Sequence, residues 1–372
     1  MASKARQLAQ SASAPEGRKN IVINGAMTVC QRATSVSGLG DVSNSGYHVQ
    51  DRFEMVFSTS GRFTLSQDSD APAGFSSAMK LDCTTADTSI AADEFGIISY
   101  QIEGQDLQQL AKGTSSAKEL TLSFYAKANA SKTYVVEMRD YDNSRIMSKA
   151  FTVGTSYSRI ELTFPADTTG ELDNDNARSF AINIFIHAGS DYSSGTLGTS
   201  WAASVTANRA AGVESFFSST DNTFFITGVQ LEVGSVATEF EHQKYCDVYR
   251  DCQRYYYKSG DNAESGNEWF PGVATNSGKG VYYAISGSET TDRAYPALQW
   301  PVQMRAAPSV TFYPGRSDTT NTADRITVYN GSGAVTFSTS PTPYSNGLSY
   351  HFQGTSTDGI FYSYQIVAEA EL

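Results

Sequence analysis

The sequence predicts an all-β protein: an antiparallel jelly-roll sandwich, then a short helix, then a second and smaller β-sandwich domain. Three observations carry that expectation. Between Arg52 and Val233 the apolar residues recur with period two in short runs broken by turn residues. No helical segments alternate with those runs, which excludes a parallel βαβ layout. The composition, with 21 Tyr, 20 Phe and 30 Gly against only 18% charged residues, suits half-buried pleated surfaces joined by glycine turns. A chain of 372 residues also exceeds one typical core, so more than one domain is expected.

Residues 1–20 are polar apart from a few small apolar positions, and Ala2, Ala5, Leu8 and Ala9 would line one face of a short helix before Pro15 and Gly17 stop it. Such a helix has no stability of its own. It reads as an arm that orders on a partner, with Lys4, Arg6 and Leu8 as its docking residues, or else as a disordered tail. Residues 21–240 hold the jelly roll. In "ELTLSFYAKA" Leu120, Leu122, Phe124 and Ala126 share one face while Thr121, Ser123 and Tyr125 share the other, which places one face on a core and the other in solvent. "GQDLQQLAKG" is the exception, reading as a helical turn between strands.

After Gly234 the pattern changes. From Glu241, the residues Tyr245, Val248, Tyr249, Cys252 and Tyr256 fall at helical spacing, so 241–258 reads as a helical hinge. "KSGDNAESGNE" lacks any large apolar residue and reads as a linker. Residues 259–372 return to strand-like runs separated by Asn, Gly, Ser and Thr, including Asn330-Gly331 at a hairpin turn.

Each candidate site has a plainer explanation beside it. Cys246 and Cys252 lie six positions apart, which on a helix points the thiols in different directions, so with His242 and Glu239 or Glu241 they make a poor zinc site. The run "ADTTGELDNDNAR" offers Asp167, Asp173 and Asp175 as weak calcium ligands, but it lacks EF-hand spacing and a solvated turn is the favoured reading. No metal site and no cofactor is expected. Catalytic signatures are missing: there is no HExxH, GxSxG or CxxC, and "GVATNSGKG" has Gly280 where a phosphate loop needs Ser or Thr. Carboxylates such as Asp51 and Glu54 could cleave a glycosidic bond only at a separation that sequence spacing does not set. The expectation is therefore a protein that is not an enzyme. Aromatic residues among Asn, Asp, Gln and Ser suit sugars, whose CH faces stack on rings while their hydroxyls seek polar neighbours. In the C-terminal region Trp269, Trp300, Tyr282 and Tyr344 are the candidate glycan contacts.

The net charge of −12 argues against nucleic acid or an anionic bilayer as partner. No apolar run reaches the roughly 18 residues that span a membrane, so membrane insertion is not expected. The opening "MASKARQLAQSASAP" lacks the apolar core of a secretory signal, and the scattered cysteines suggest reduced thiols, so folding in a cytoplasm is expected.

Several segments resemble a group of tailed-bacteriophage tail fibre or virion structural proteins, many of them from phages of marine bacteria. They include "KARQLAQ", "NIVINGAMTVCQRAT", "YHVQDRFEM", "TFPADTTGELDNDNARSF" and "ITGVQLEVGSVATEFEHQKYCDVYRDCQRYYYK", and together with a long run from Ser76 to Ala128 they cover most of residues 1–258. The C-terminal part matches mainly in "PVQMRAAPSVTF" and the final "AEAEL". The resemblance implies a sandwich of the carbohydrate-binding-module kind on a virion surface, often a homotrimer, and transfers no catalytic residue. The resulting expectation is a virion protein whose N-terminus docks to other tail or head proteins and whose C-terminal domain meets host surface polysaccharide. A decoration protein without a receptor role and a glycan depolymerase are the alternatives.

Overall fold

In the computed structural model, residues 18–259, 281–285, 292–294, 297–314, 325–329, 334–338, 340–354 and 360–372 are described. The docking residues Lys4, Arg6 and Leu8, together with Trp269 and the Asn330-Gly331 turn, lie outside them.

Period-two patterning sets the first unit. Its strands in chain order are β1 (Ser35–Leu39), β2 (Gly46–Tyr47), β3 (Phe53–Ser58), β4 (Arg62–Asp68), β5 (Ala78–Thr85), β6 (Phe95–Glu103), β7 (Leu120–Ala128), β8 (Lys132–Asp140), β9 (Arg145–Val153), β10 (Ser158–Phe164), β11 (Arg178–Ala188), β12 (Ala202–Ala203) and β13 (Thr223–Val233). They form two antiparallel sheets, one ordered β1-β4-β5-β13-β7-β10 and the other β12-β9-β8-β11-β6-β3-β2. The expected helical turn appears as a 3₁₀ segment at Gly104–Leu110.

One core lies between the sheets. Phe63, Leu81, Leu122, Phe124 and Phe224 enter it from the first sheet, and Phe57, Tyr134, Met138, Phe151 and Ile182 from the second. Rings meet edge to face across the gap: Phe124 and Phe151 are 5.2 Å apart at 84°, and Tyr134 and Phe224 5.3 Å apart at 84°. Each fully buried side chain of this size contributes about 1.5–3 kcal/mol through the apolar surface it removes from water.

β13 does not keep a single alternation. Phe224 and Ile226 face the core, then Val229 and Leu231 do, so the parity flips between them. The flip coincides with a register shift against β7 between Thr227 and Gln230, where Gly228 adopts φ +63°. This is a β-bulge, in which an extra residue re-aims the strand and a glycine supplies the left-handed backbone.

The solvent expected on the outer face of β7 is replaced by chain. Thr121 and Ser123 are buried because residues after β13 fold back over them. The Thr121 hydroxyl donates to the Gly234 carbonyl at 2.7 Å, and the Arg159 guanidinium donates to Ser123 Oγ at 3.2 Å and also to the Thr238 carbonyl. The returning segment thus satisfies the Thr121 hydroxyl, and Arg159 of β10 that of Ser123, as well as water would.

The hinge expected over 241–258 forms a helix only over Tyr245–Gln253, with Cys246 exposed and Cys252 buried. The chain divides into compact units between Val248 and Tyr249. In the second unit the strand Ile360–Glu369 is central, pairing antiparallel with Tyr256–Lys258, Val281–Ile285, Ser309–Pro314 and Arg325–Tyr329. A further sheet gathers Asp292–Ala294, Ala297–Gln299 and Ser340–Tyr344 around Gly347–Gly354. No helix among the described residues is long and apolar enough to cross a membrane.

Candidate functional site

The site starts from two asparagines in "NIVING". This stretch is too irregular to form a ladder, so its side chains bond the backbone instead. Asn20 accepts from Val22 and Leu231 N–H through Oδ1 and donates to the Val229 carbonyl, while Asn24 accepts from Thr28 and Val29 N–H and donates to the carbonyls of Val29 and Asp51. Asn24 holds φ +60°, a left-handed geometry that asparagine tolerates better than most residues. Gly25 then passes so close to β13 that a Cβ there would lie 2.0 Å from the Val229 carbonyl oxygen. We expect Gly25→Ala to destabilise the sandwich by about 1–3 kcal/mol, because backbone rather than a movable side chain blocks the methyl. Urea unfolding of the variant checks this.

A second wall comes from the end of β4 and the loop that follows. Gln67 Nε2 and Ser77 Oγ both donate to the Met27 carbonyl, at 2.7 and 3.0 Å, and Thr227 Oγ1 donates to the Ser77 carbonyl at 2.8 Å. The third wall is the returning segment. Glu241 Oε2 accepts from the N–H groups of Lys19 and Asn20 at 3.0 and 2.7 Å, and the Glu241 N–H donates to Gln230 Oε1 at 2.8 Å. Residues 18–20, expected in the arm, are thus fastened to the jelly roll.

These walls enclose a pocket of about 630 Å³, open to solvent and within the range of small-molecule sites, about 300–1,000 Å³. Its apolar side is an aromatic group seated on the bulge. Gly228 has no side chain, and a Cβ there would lie 2.7 Å from Phe75, so the glycine lets Phe75 lie over β13 beside Tyr125, 5.4 Å from it. Phe240 and His242 complete the cluster at 5.0 and 5.2 Å from Phe75. Asp68, Ser69, Ser76 and Gln243 supply the polar side, and Tyr245, 59% exposed, stands at the mouth. Ring faces beside hydroxyl, amide and carboxylate groups are the pairing that a sugar needs.

Other sequence expectations fall elsewhere. Trp300 is only 6% exposed, its indole N–H donates to the Tyr344 carbonyl at 2.9 Å, and its ring packs on Tyr257 at 5.6 Å, so it serves packing and presents no open face. Tyr344 is 53% exposed, while Tyr282 is placed by its backbone alone, opposite Ser363. Asp51 is buried and bonded to Gln31, whereas Glu54 accepts from Gln101; neither lines the pocket.

The acidic run does not converge on one centre. Asp173 and Asp175 are exposed, and Asp175 accepts the N–H of Ala177 in its own loop. Asp167 alone turns inward, where the Lys112 ammonium occupies the place a cation would take. Lys112 Nζ lies 2.5 Å from Asp140, 3.1 Å from Asp167, and donates to the carbonyls of Thr169 and Gly170 at 3.0 and 2.9 Å. Arg145 adds a two-pronged contact to Asp167 at 2.8 and 2.9 Å. Burial pushes the Asp167 carboxyl upward, but its bonds to Arg145 and Lys112 outweigh burial and leave it below the usual range.

No protein-family model matches the chain, and no curated protein does. Among solved structures it is similar to a CBM4 module, with 11% identity and a TM-score of 0.29 over 56% of this chain and 97% of that one. It is similar also to the family 11 carbohydrate-binding module of a Clostridium thermocellum cellulosomal cellulase, with 14% identity and a TM-score of 0.27 over 55% of this chain and 98% of that one. The enzymatically active domain of a bacteriophage CBA120 tailspike matches with 12% identity and a TM-score of 0.30 over 57% of this chain but only 21% of its own. All of these scores and identities are low, and the sandwich stands on its own strand pairing.

Proposed function

We propose that this chain is a non-enzymatic structural component of a phage virion, a tail fibre or tail-associated adhesin, and that its jelly roll binds a host surface glycan in the pocket beside Phe75. The observation that carries the glycan reading is that one opening holds the Phe75, Phe240 and His242 rings and the polar groups of Asp68, Ser76 and Gln243. The virion setting rests on the sequence resemblance to tailed-phage structural proteins, and "NIVINGAMTV" and "ITGVQLEVGSVATEFEHQKY", two of the segments that carry it, build the pocket. With Asp68 and Glu241 against the single guanidinium of Arg18, the lining favours a neutral polymer over a uronate or sulfated one. A trimer would turn weak single sites into firm attachment, since linked sites raise avidity without new contacts.

Titration of the full-length protein with neutral and acidic polysaccharides from the host surface tests this. Saturable binding to the neutral fraction is expected, weakened about two- to tenfold in Phe75→Ala, because losing one stacked ring costs about 0.5–1.5 kcal/mol. Equal binding by the variant would remove the pocket from the account. Absence of any binding would leave a decoration protein.

A further inference from the structure

The far end of the sandwich holds a second cluster that the glycan reading does not use. Asp87 sits in the crossover from β5 to β6, Glu94 just before β6, and His187 one residue before the end of β11. All three are buried, and one ligand atom from each lies within 4.8 Å of the others. Two carboxylates beside an imidazole in a core are costly unless something positive lies among them.

The surroundings do not supply it. His187 is 0% exposed, and its Nε2 makes no hydrogen bond, although it lies 3.4 Å from Glu94 Oε2. A ring N–H in that place would need an acceptor in line with it, so the atom is better read as a lone pair aimed at the carboxylates.

Each of the three side chains is already held by hydrogen bonds. His187 Nδ1 is 2.8 Å from Ser215 Oγ, which also accepts the Phe217 N–H. Asp87 accepts from Thr59 Oγ1 at 3.0 Å and from the Ser89 N–H at 3.1 Å, and Glu94 accepts from the N–H groups of Ser60 and Ala91, both at 3.2 Å. Partners of this kind fix the orientation and tautomer of metal ligands. A tetrahedral centre with bonds of about 2.1 Å has edges of about 3.4 Å, the separation found between His187 and Glu94. One imidazole and two carboxylates, with no thiolate, suit Zn²⁺ and neighbouring first-row divalent ions.

We propose that Asp87, Glu94 and His187 form a divalent-metal site, taking Zn²⁺ or a similar ion with water in the remaining position, that fastens the β5–β6 crossover to β11. Because that crossover carries the chain from one sheet to the other, the ion would act as a structural staple. It contrasts with the Lys112 cage, where the protein supplies its own cation.

The test uses the full-length protein stripped of metal. Titration with Co²⁺ is expected to give one equivalent bound with the visible bands of a four-coordinate N/O centre, displaced by Zn²⁺. Zn²⁺ at about a hundredfold excess over Kd should raise Tm by about 5–10 °C. His187→Gln should lose both effects, and Cys246→Ser should keep both, which separates the core site from exposed groups on the hinge helix. Should His187→Gln fail to fold, the Co²⁺ spectrum of the unaltered chain decides the matter. Absence of stoichiometric binding, with the same Tm in Zn²⁺ and in chelator, would overturn the site and leave a carboxylate pair sharing a proton.

Discussion

Lys112→Met is expected to destabilise the sandwich unit by about 3–5 kcal/mol, the usual result of removing one partner from a buried ion pair. The Lys112 ammonium is the counter-charge closest to Asp140, whose carboxylate is fully buried, and it also touches Asp167. Methionine fills the volume but leaves Asp140 with only the bonds from Asn143 N and Nδ2, at 2.9 to 3.2 Å. Asp167 suffers less because Arg145 remains. Combining Lys112→Met with Asp140→Asn should therefore recover much of the loss, and a double-mutant cycle by urea denaturation measures the coupling. The same cage sets a response to acid. The folded Asp167 carboxyl titrates below its unfolded value, so its contribution is fully present above about pH 4 and is lost as pH falls through the lower folded value. Acid unfolding should steepen below about pH 4, and Asp167→Asn should flatten that limb.

The second large effect is expected from Phe217→Ala, at about 3–5 kcal/mol for an aromatic ring removed from a packed core. Phe217 is fully buried and meets Phe57 and Phe63, both at 6.1 Å, Phe216 at 5.1 Å and His187 at 5.3 Å. It also fills the space over Gly61, where a Cβ would come within 2.3 Å of its ring. No neighbour in that set is flexible enough to close the hole, so the loss should fall near the top of the range. Since the Phe217 carbonyl accepts the Asp87 N–H at 2.8 Å, the variant should also weaken Co²⁺ uptake, whereas an equally destabilising change far from this end should not.

Much of the sandwich is legible because most of its strands declare themselves locally, whereas β1, β2, β9 and β12 do not. Leu120, Leu122, Phe124 and Ala126 all face the core as their alternation requires, and "GQDLQQL" forms its turn. The reversal at Gly228 was signalled by a glycine inside an apolar strand, a mark of a bulge, but its consequence, a seat for Phe75, depends on a loop more than 150 positions earlier. The pocket escaped for the same reason: its walls come from residues 18–28, 67–77 and 240–248, and no local pattern joins them. Trp300 stands beside polar residues, but such a tryptophan looks the same in sequence whether its N–H meets a sugar or the Tyr344 carbonyl. In the acidic run, Asp167 was visible and Lys112, 55 positions away, was not, so a cage holding an ammonium looked like a possible calcium loop.

The most direct measurement of the central claim is hydrogen–deuterium exchange of the full-length protein with and without saturating neutral polysaccharide from the host surface. Protection concentrated in residues 67–77 and 238–245, and lost in Phe75→Ala, is the expected result. Protection confined to residues 297–369, with the jelly roll unchanged, would contradict it and return glycan contact to the C-terminal unit.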